Sequence, residues 1–233
     1  MIKLSDYVMD FIAKANVKHV FLLPGGGCMH LVDSLGKNRK LGYTCCLHEQ
    51  AAAIAAEAYS QYTNNLGVVL VTAGPGATNA ITAVAGAWID SIPLLVISGQ
   101  GKRPDMIGDS GVRQMGVQEA DIVSIAQPIT KYAVSVPDPL SIRYHLEKAL
   151  YLAKSGRSGP VWLDVPLDVQ GALIDERKLK SFHYKRPSNR HKEGLCRLAE
   201  KAIYLLNKSE RPVILAGNGV RLAGALKDFI NLI

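Results

Sequence analysis

The chain has 233 residues, 48% of them apolar, and a formal charge of +7. That apolar fraction suffices for a packed core and excludes an intrinsically disordered chain, while the lack of any run of about 18 uncharged apolar residues excludes a membrane-spanning helix. Four cysteines, Cys28, Cys45, Cys46 and Cys196, show no CxxC spacing and argue against a metal site or a disulfide framework.

The basic excess is local. Between Asp175 and Arg197 stand eight lysines or arginines against three acidic residues. That run lacks glycine-aromatic interleaving of an RNA-binding kind, so it reads as a solvated linker and predicts no nucleic-acid partner. Lys3, Asp6 and Asp10 stand where a secretory leader would need an apolar centre, so the expected location is cytoplasmic, with no membrane partner.

In chain order, Ser5 is the expected cap of a helix through about Ala15, with Tyr7, Val8, Phe11 and Ile12 on one face. HVFLL, residues 19–23, predicts a buried strand ending in PGGG. MHLVDSLG is a short helix stopped by Gly36, and LGYTCCL is the next extended piece. An alanine-rich helix begins near His48, with Glu49 in its first turn and side chains small enough for close packing all round. GVVLVT is a continuous apolar strand, followed by AGPGATN, where Thr78 and Asn79 are expected helix caps, and a helix through about Asp90.

PLLVISG is another core strand, leading into a glycine-rich loop over about 100–116. KYAVSV predicts a strand, DPLSIRYHLEKALYLAKS a helix with Asp138 or Ser141 near its start, and GPVWLDVP a closing strand. Apolar strands alternating with helical segments predict an α/β, doubly wound, mainly parallel six-stranded sheet with helices on both faces. The expected organisation is a first domain over 1–174, a basic linker over 175–192 and, over 193–233, the start of a second α/β unit. There LCRLAEKAIYLLNKSERPVILAGNGV reads as helix, strand and glycine loop. Forty residues are too few for that unit's own core, so the chain reads as a fragment of a longer protein.

Ligands of open parallel sheets bind at the carboxyl ends of the strands. Three such ends carry unusual sequence: LLPGGGC, LHEQ with Glu49, and VTAGPGATN. Neither a GxGxxG fingerprint nor a Walker A loop is present. Glu49 has two readings, a helix-start charge worth roughly 0.3 to 1 kcal/mol against the macrodipole, or a functional carboxylate in a tight pocket.

In order, VFLLPGG, LHEQAAAIAAEAYS, VTAGPGATNAITAVAGAWIDSIPLLVISGQ, VQEADIV, PITKYAVSV and GRSGPVWLDVPLDVQ resemble the N-terminal pyrimidine-binding domain of the thiamine diphosphate enzymes, most closely the acetolactate synthase group. RPVILAGNGV resembles the opening of that family's middle domain, which holds FAD or ADP in some members. The resemblance implies that Glu49 hydrogen-bonds N1′ of the cofactor's aminopyrimidine, so that the 4′-nitrogen can take the proton from thiazolium C2. It implies that Pro24, Gly25 and Gly26 form the loop over the active centre and that Thr72, Pro75 and Asn79 line the pyrimidine pocket. Gln118 falls near the reacting carbon, and Val117 and Lys131 beside the substrate channel. Val117 replaces the aromatic residue usual in the group, and the smaller side chain suggests an acceptor bulkier than pyruvate.

The implied activity is decarboxylation and carboligation of a 2-oxo acid such as pyruvate. Mg²⁺ and the diphosphate would be held by a C-terminal domain whose motif does not occur here, and the active centre would be shared between subunits of a homodimer or homotetramer. This fragment alone is then expected to be inactive. Two rival readings are a thiamine diphosphate lyase acting on another substrate and a non-catalytic binding or assembly module of the same fold.

Overall fold

A computed structural model describes residues 1–184 and 192–233, apart from the side chains of residues 192 and 193. The chain divides into two compact units, Met1–Phe182 and His183–Ile233. In the first unit a two-residue strand β1 (Ile2–Lys3) precedes α1 (Leu4–Lys14), β2 (His19–Leu22), α2 (Met29–Lys37), β3 (Gly42–Cys45), α3 (Glu49–Thr63) and β4 (Gly67–Val71). Then come α4 (Pro75–Asn79), α5 (Ile81–Asp90), β5 (Leu94–Gln100), α6 (Ile122–Ala126), β6 (Tyr132–Ser135), α7 (Ile142–Lys154), β7 (Val161–Pro166), α8 (Leu167–Gln170) and β8 (Leu173–Ile174).

Six strands pair in the order β3-β2-β4-β5-β7-β6, every pair parallel. This is the expected doubly wound α/β sheet. A small antiparallel pair, β1 with β8, ties the N-terminus to the end of the unit. Two residues per strand gave that pair no sequence period to be read from.

The sheet has two chemically different faces, set by strand alternation. Val68 and Leu70 of β4, Leu95 and Ile97 of β5, and Val161, Leu163 and Val165 of β7 join large side chains of α1, α2 and α7 in one core. Val69, Val71, Leu94, Val96 and Trp162 face the other way and meet Ala52, Ala53, Ala56, Ala77, Ala80, Ala83 and Ala87. Alanines let α3 lie close on the sheet. A Cβ on Gly67 would stand 2.1 Å from the backbone oxygen of Ala56, so only glycine fits at the start of β4.

Several local expectations are corrected. Lys3, not Ser5, occupies the N-cap of α1; Ser5 is buried inside the helix, its Oγ 2.9 Å from Ser34 Oγ. The alanine-rich helix is buried on one side only, since Ala51, Ile54 and Ala58 are exposed. β3 is a fully exposed edge strand. At the start of α7 the expectation holds: Asp138 caps a short 3₁₀ turn, accepting from Leu140 N, and Ser141 is the N-cap of the helix from Ile142. Residues 175–182 are partly packed rather than wholly solvated: Leu179 is buried, and the Phe182 ring meets Tyr144 edge-on and Tyr151 at a tilt, both on α7. The core of the basic run, residues 185–191, lies outside the described residues.

The second unit consists of α9 (Lys192–Lys208), α10 (Gly219–Leu222) and α11 (Leu226–Leu232). The strand expected in RPVIL is not formed, and Val213 and Leu215 are exposed. A strand needs a ladder partner, and no other strand occurs among the unit's described residues. Among the described residues of both units, no helix is long and apolar enough to cross a membrane.

The contact between Gly67 and Ala56 gives a test of the alanine-lined face. Gly67→Ala should lower unfolding free energy by at least about 2 kcal/mol, the scale of forced overpacking, in denaturant titrations. An unchanged midpoint would contradict the close approach of α3.

Candidate active site

The strand order reverses between β2 and β4. From β2 the chain crosses through α2 on the leucine-rich face to β3 on one side, and from β4 through α5 on the alanine face to β5 on the other. Such a reversal leaves a crevice at the carboxyl ends of the two strands. Here the PGGG turn after β2 meets the TAGPG turn after β4.

Their contact is backbone-close. Gly27 N donates to Thr72 Oγ1 at 3.0 Å. A Cβ on Gly25 would fall 2.5 Å from Thr72 Cβ, and one on Gly99, at the end of β5, would fall 1.9 Å from Gly27 O. The buried Gln170 amide donates to Gly27 O at 2.7 Å and to Val165 O at 2.8 Å, fixing the turn from below. The glycines serve this convergence of three strand ends as well as any ligand.

Glu49 opens α3 beside the crevice. His48 caps the helix, its Nδ1 accepting from Gln50 N at 3.1 Å. Glu49 itself is 7% exposed, so it is not a solvated helix-start charge. Asn79 Nδ2 donates to Glu49 Oε2 at 2.9 Å, from the last residue of α4. The other oxygen, Oε1, lies against Gly76, where a Cβ would stand 3.0 Å from it and 2.5 Å from Thr72 Cγ2. Thr78 and Asn79 are therefore not helix caps, because α4 already starts at Pro75; Thr78 Oγ1 bonds back to Pro75 O and Asn79 serves the carboxylate.

A cleft of about 310 Å³ opens beyond Thr72, lined by Gly26, Gly27, Thr72, Gln100, Val117 and Gln118 among others. Glu49 borders Thr72 without lining this cleft. The loop over 101–120 forms its outer wall. Glu119 organises that loop from inside: burial alone would raise its carboxyl, but backbone N–H groups of Ile107, Gly116 and Met115 together pull it below the usual range. Gln118 has a left-handed backbone, φ 56°, and its carbonyl would stand 1.9 Å from a Cβ on Gly74, itself at φ 57°. Val117 is 89% exposed at the mouth.

The structure thus brings Gly25, Gly26, Glu49, Thr72, Pro75, Asn79, Val117 and Gln118 to one end of the sheet, with Pro24 exposed at its rim. It does not bring Lys131 there. Lys131 precedes β6 at the opposite, amino-terminal edge of the sheet, where its Nζ donates to Ser155 O at 2.6 Å and burial lowers its pKa. There it lines a separate cavity with Trp88, Ile89, Arg157 and Ser158.

Sequence reasoning missed Gln100 and Asp164. Asp164 is 2% exposed in the centre of β7 and accepts from Ser98 Oγ at 2.6 Å and Gln100 Nε2 at 3.2 Å. Burial pushes its carboxyl up to about 7, against the hydrogen bonds from Ser98 and Gln100. One charge inside the apolar string GPVWLDVP was the available signal.

This fold, with a shielded carboxylate at the switch point between two glycine turns, defines a class: doubly wound α/β units whose ligand crevice lies at the carboxyl ends of the strands. Residues 2–125 match the model of the thiamine pyrophosphate enzyme N-terminal TPP-binding domain, and the chain belongs to that family. It is 36% identical over 228 residues to the acetolactate synthase large subunit of Lactococcus lactis, covering 97% of this chain and 38% of that protein. It is 38% identical over 218 residues to the mitochondrial acetolactate synthase of Schizosaccharomyces pombe, covering 91% and 32%. With Escherichia coli acetolactate synthase isozyme 3 large subunit, identity is 34% over 229 residues, covering 96% and 38%. The chain therefore spans about 38% or less of the length of these relatives.

Asp164 gives the fold a pH dependence. Its carboxyl moves from an ordinary 3.8 to about 7 on folding, so the folded state holds the proton over a range where the unfolded chain has lost it. This contribution is full below about pH 4 and is lost as pH rises through 7. Asp164→Asn should flatten that decline in urea midpoints measured from pH 4 to 8; an unchanged slope would contradict the buried, raised carboxyl.

Proposed function

We propose that the full-length protein catalyses thiamine diphosphate-dependent decarboxylation and carboligation of a 2-oxo acid such as pyruvate, and that this chain is its pyrimidine-binding portion. The observation that carries the reading is the buried Glu49 carboxylate, held by Asn79 through one oxygen and faced by Gly76 at the other. Similarity to acetolactate synthases along nearly the whole chain supports the reaction class.

The residues fit the aminopyrimidine end of the cofactor. A carboxylate accepts hydrogen bonds and donates none, which suits a ring nitrogen bearing a proton. Gly76 presents no side chain where a flat ring would approach Oε1, and Thr72 closes the neighbouring wall. When bound, the thiazolium supplies an electron sink for loss of carbon dioxide.

The work of this chain is to hold and orient. Asn79 fixes the carboxylate so that Glu49 meets N1′ without first reorganising, and low exposure keeps water from competing for that hydrogen bond. Gly26 lines the cleft and Gly25 lies against Thr72 in its wall, with Pro24 and Pro75 in the turns that carry them, and Gln118 lines the cleft from its outer wall. Val117, small and exposed at the mouth, leaves room for an acceptor larger than pyruvate. Lys131, at the other end of the sheet, is assigned no part.

Among the described residues no three His, Cys, Asp or Glu side chains converge to hold a metal. The diphosphate and its Mg²⁺ are assigned in this proposal to the rest of the full-length protein, and a second subunit to completing the centre.

Glu49→Gln in the full-length protein should lower turnover of pyruvate by roughly 10² to 10⁴, the scale of lost acid-base assistance, with a circular dichroism spectrum like that of the parent. Turnover within threefold of the parent would overturn the assignment.

A further inference from the structure

Asp164 takes no part in the site as assigned, yet Gln100 connects it to the cleft. Trp162 Nε1 donates to Ser98 Oγ at 2.8 Å, which leaves the Ser98 proton for Asp164 Oδ1. The Gln100 amide has three engagements. Its Nε2 donates to Asp164 Oδ2 and, at 3.1 Å, to Ala120 O, while its Oε1 accepts from Gly101 N at 3.0 Å. One side chain thus grips both ends of the 101–120 loop, and Val117 and Gln118 lie between those ends.

We propose that Asp164 is a positioning residue: ionised, it orients Gln100 so that the 101–120 loop is latched over the cleft, and protonated, it lets that latch slacken. The consequence for catalysis rests on the role given above to Gln118; the latch itself does not.

The hydrogen bonding has two solutions. An ionised carboxylate accepts from both Ser98 and Gln100 and suits each. A protonated one must donate, and the Gln100 nitrogen facing it cannot accept. The hydroxyl of Ser135 can: Ser135 is the register partner of Asp164 on β6, and its Oγ is buried without a hydrogen-bond partner, whereas Ser98 Oγ already accepts from Trp162 Nε1. Turning the acid toward Ser135 removes a bond from the Gln100 amide.

The groups around Asp164 are Ser98 and Gln100 from β5, Ser135 from β6, and Asp121, the N-cap of α6 and the charged residue that acts on it. Burial first, and then repulsion from Asp121, holds the proton on Asp164 to about pH 7, so both solutions are populated near neutrality.

Limited trypsin cleavage after the exposed Arg113 reads the latch without cofactor or turnover. Rates are measured on the native chain from pH 6 to 8.5 and divided by those of an unstructured peptide of the same sequence. The normalised rate should fall about tenfold as pH rises through 7, one hydrogen bond's worth of loop opening. Asp164→Leu removes both oxygens that accept from Ser98 and Gln100. It should be cut at the fast rate throughout, with a cooperative melt retained. Should that variant fail to fold, Gln100→Met must give the same fast, flat profile.

A flat profile in the parent chain, or slow cleavage of either variant at pH 8, would overturn the proposal. In the full-length protein, the variant should lose the pH dependence of kcat near 7 with a smaller change in KM. Absence of thiamine-dependent turnover alongside a pH-dependent latch would sink the functional reading alone.

Discussion

The structure depends on a close approach of backbones at the point where strand order reverses. β2 and β4 end side by side, and their turns touch through Gly27 N and Thr72 Oγ1, with Gly25 too near Thr72 to carry a side chain. β5 enters the same junction through Gly99, and Gln170 ties it to β7. The Thr72 wall beside Glu49 takes its position from that junction. Replace its glycines and the turns must part, carrying the wall beside Glu49 with them.

The two faces of the sheet divide the labour. Large side chains from α1, α2 and α7 fill the leucine-rich face and anchor the unit. The alanine face is thin, which brings α3 and α4 close enough for Asn79 to reach the Glu49 carboxylate. On the same face the buried string of Trp162, Ser98, Asp164 and Gln100 runs to the outer wall of the cleft. Polar groups in such a layer are costly unless paired. Each of these has a partner, whereas Ser135 Oγ and Gln170 Oε1 do not. The orphan on Ser135 adjoins a carboxyl that changes its protonation near neutral pH, and there a spare acceptor gives the network a second arrangement.

Much of this was legible in the sequence. Continuous apolar strands such as GVVLV and PLLVISG, alternating with helical segments, are the pattern of a parallel sheet buried on both faces, which pointed to the class. Glu49 stood out because a carboxylate followed by alanines is a local contradiction, and its burial bears that out. Asn79 was legible as a polar residue near a helix but not as the partner of Glu49, since their contact spans thirty residues and depends on how closely α3 and α4 pack. Lys131 was misplaced because its assignment came from the resemblance alone: as the first residue of KYAVSV it stands at the amino end of a parallel strand, opposite the carboxyl ends where ligands bind. Gln100 and Asp164 were obscured by sitting inside strands whose overall pattern is apolar. RPVIL has strand composition without a strand, because pairing comes from neighbours and not from propensity.

The central claim is that Glu49 polarises the aminopyrimidine. It is tested most directly by the rate at which thiazolium C2–H of bound thiamine diphosphate exchanges with deuterium, followed by quenched-flow proton NMR in the full-length protein and its Glu49→Gln variant. The account predicts fast exchange in the parent and a loss of at least about a hundredfold in the variant, with the cofactor still bound. Equal exchange rates at full occupancy would contradict it.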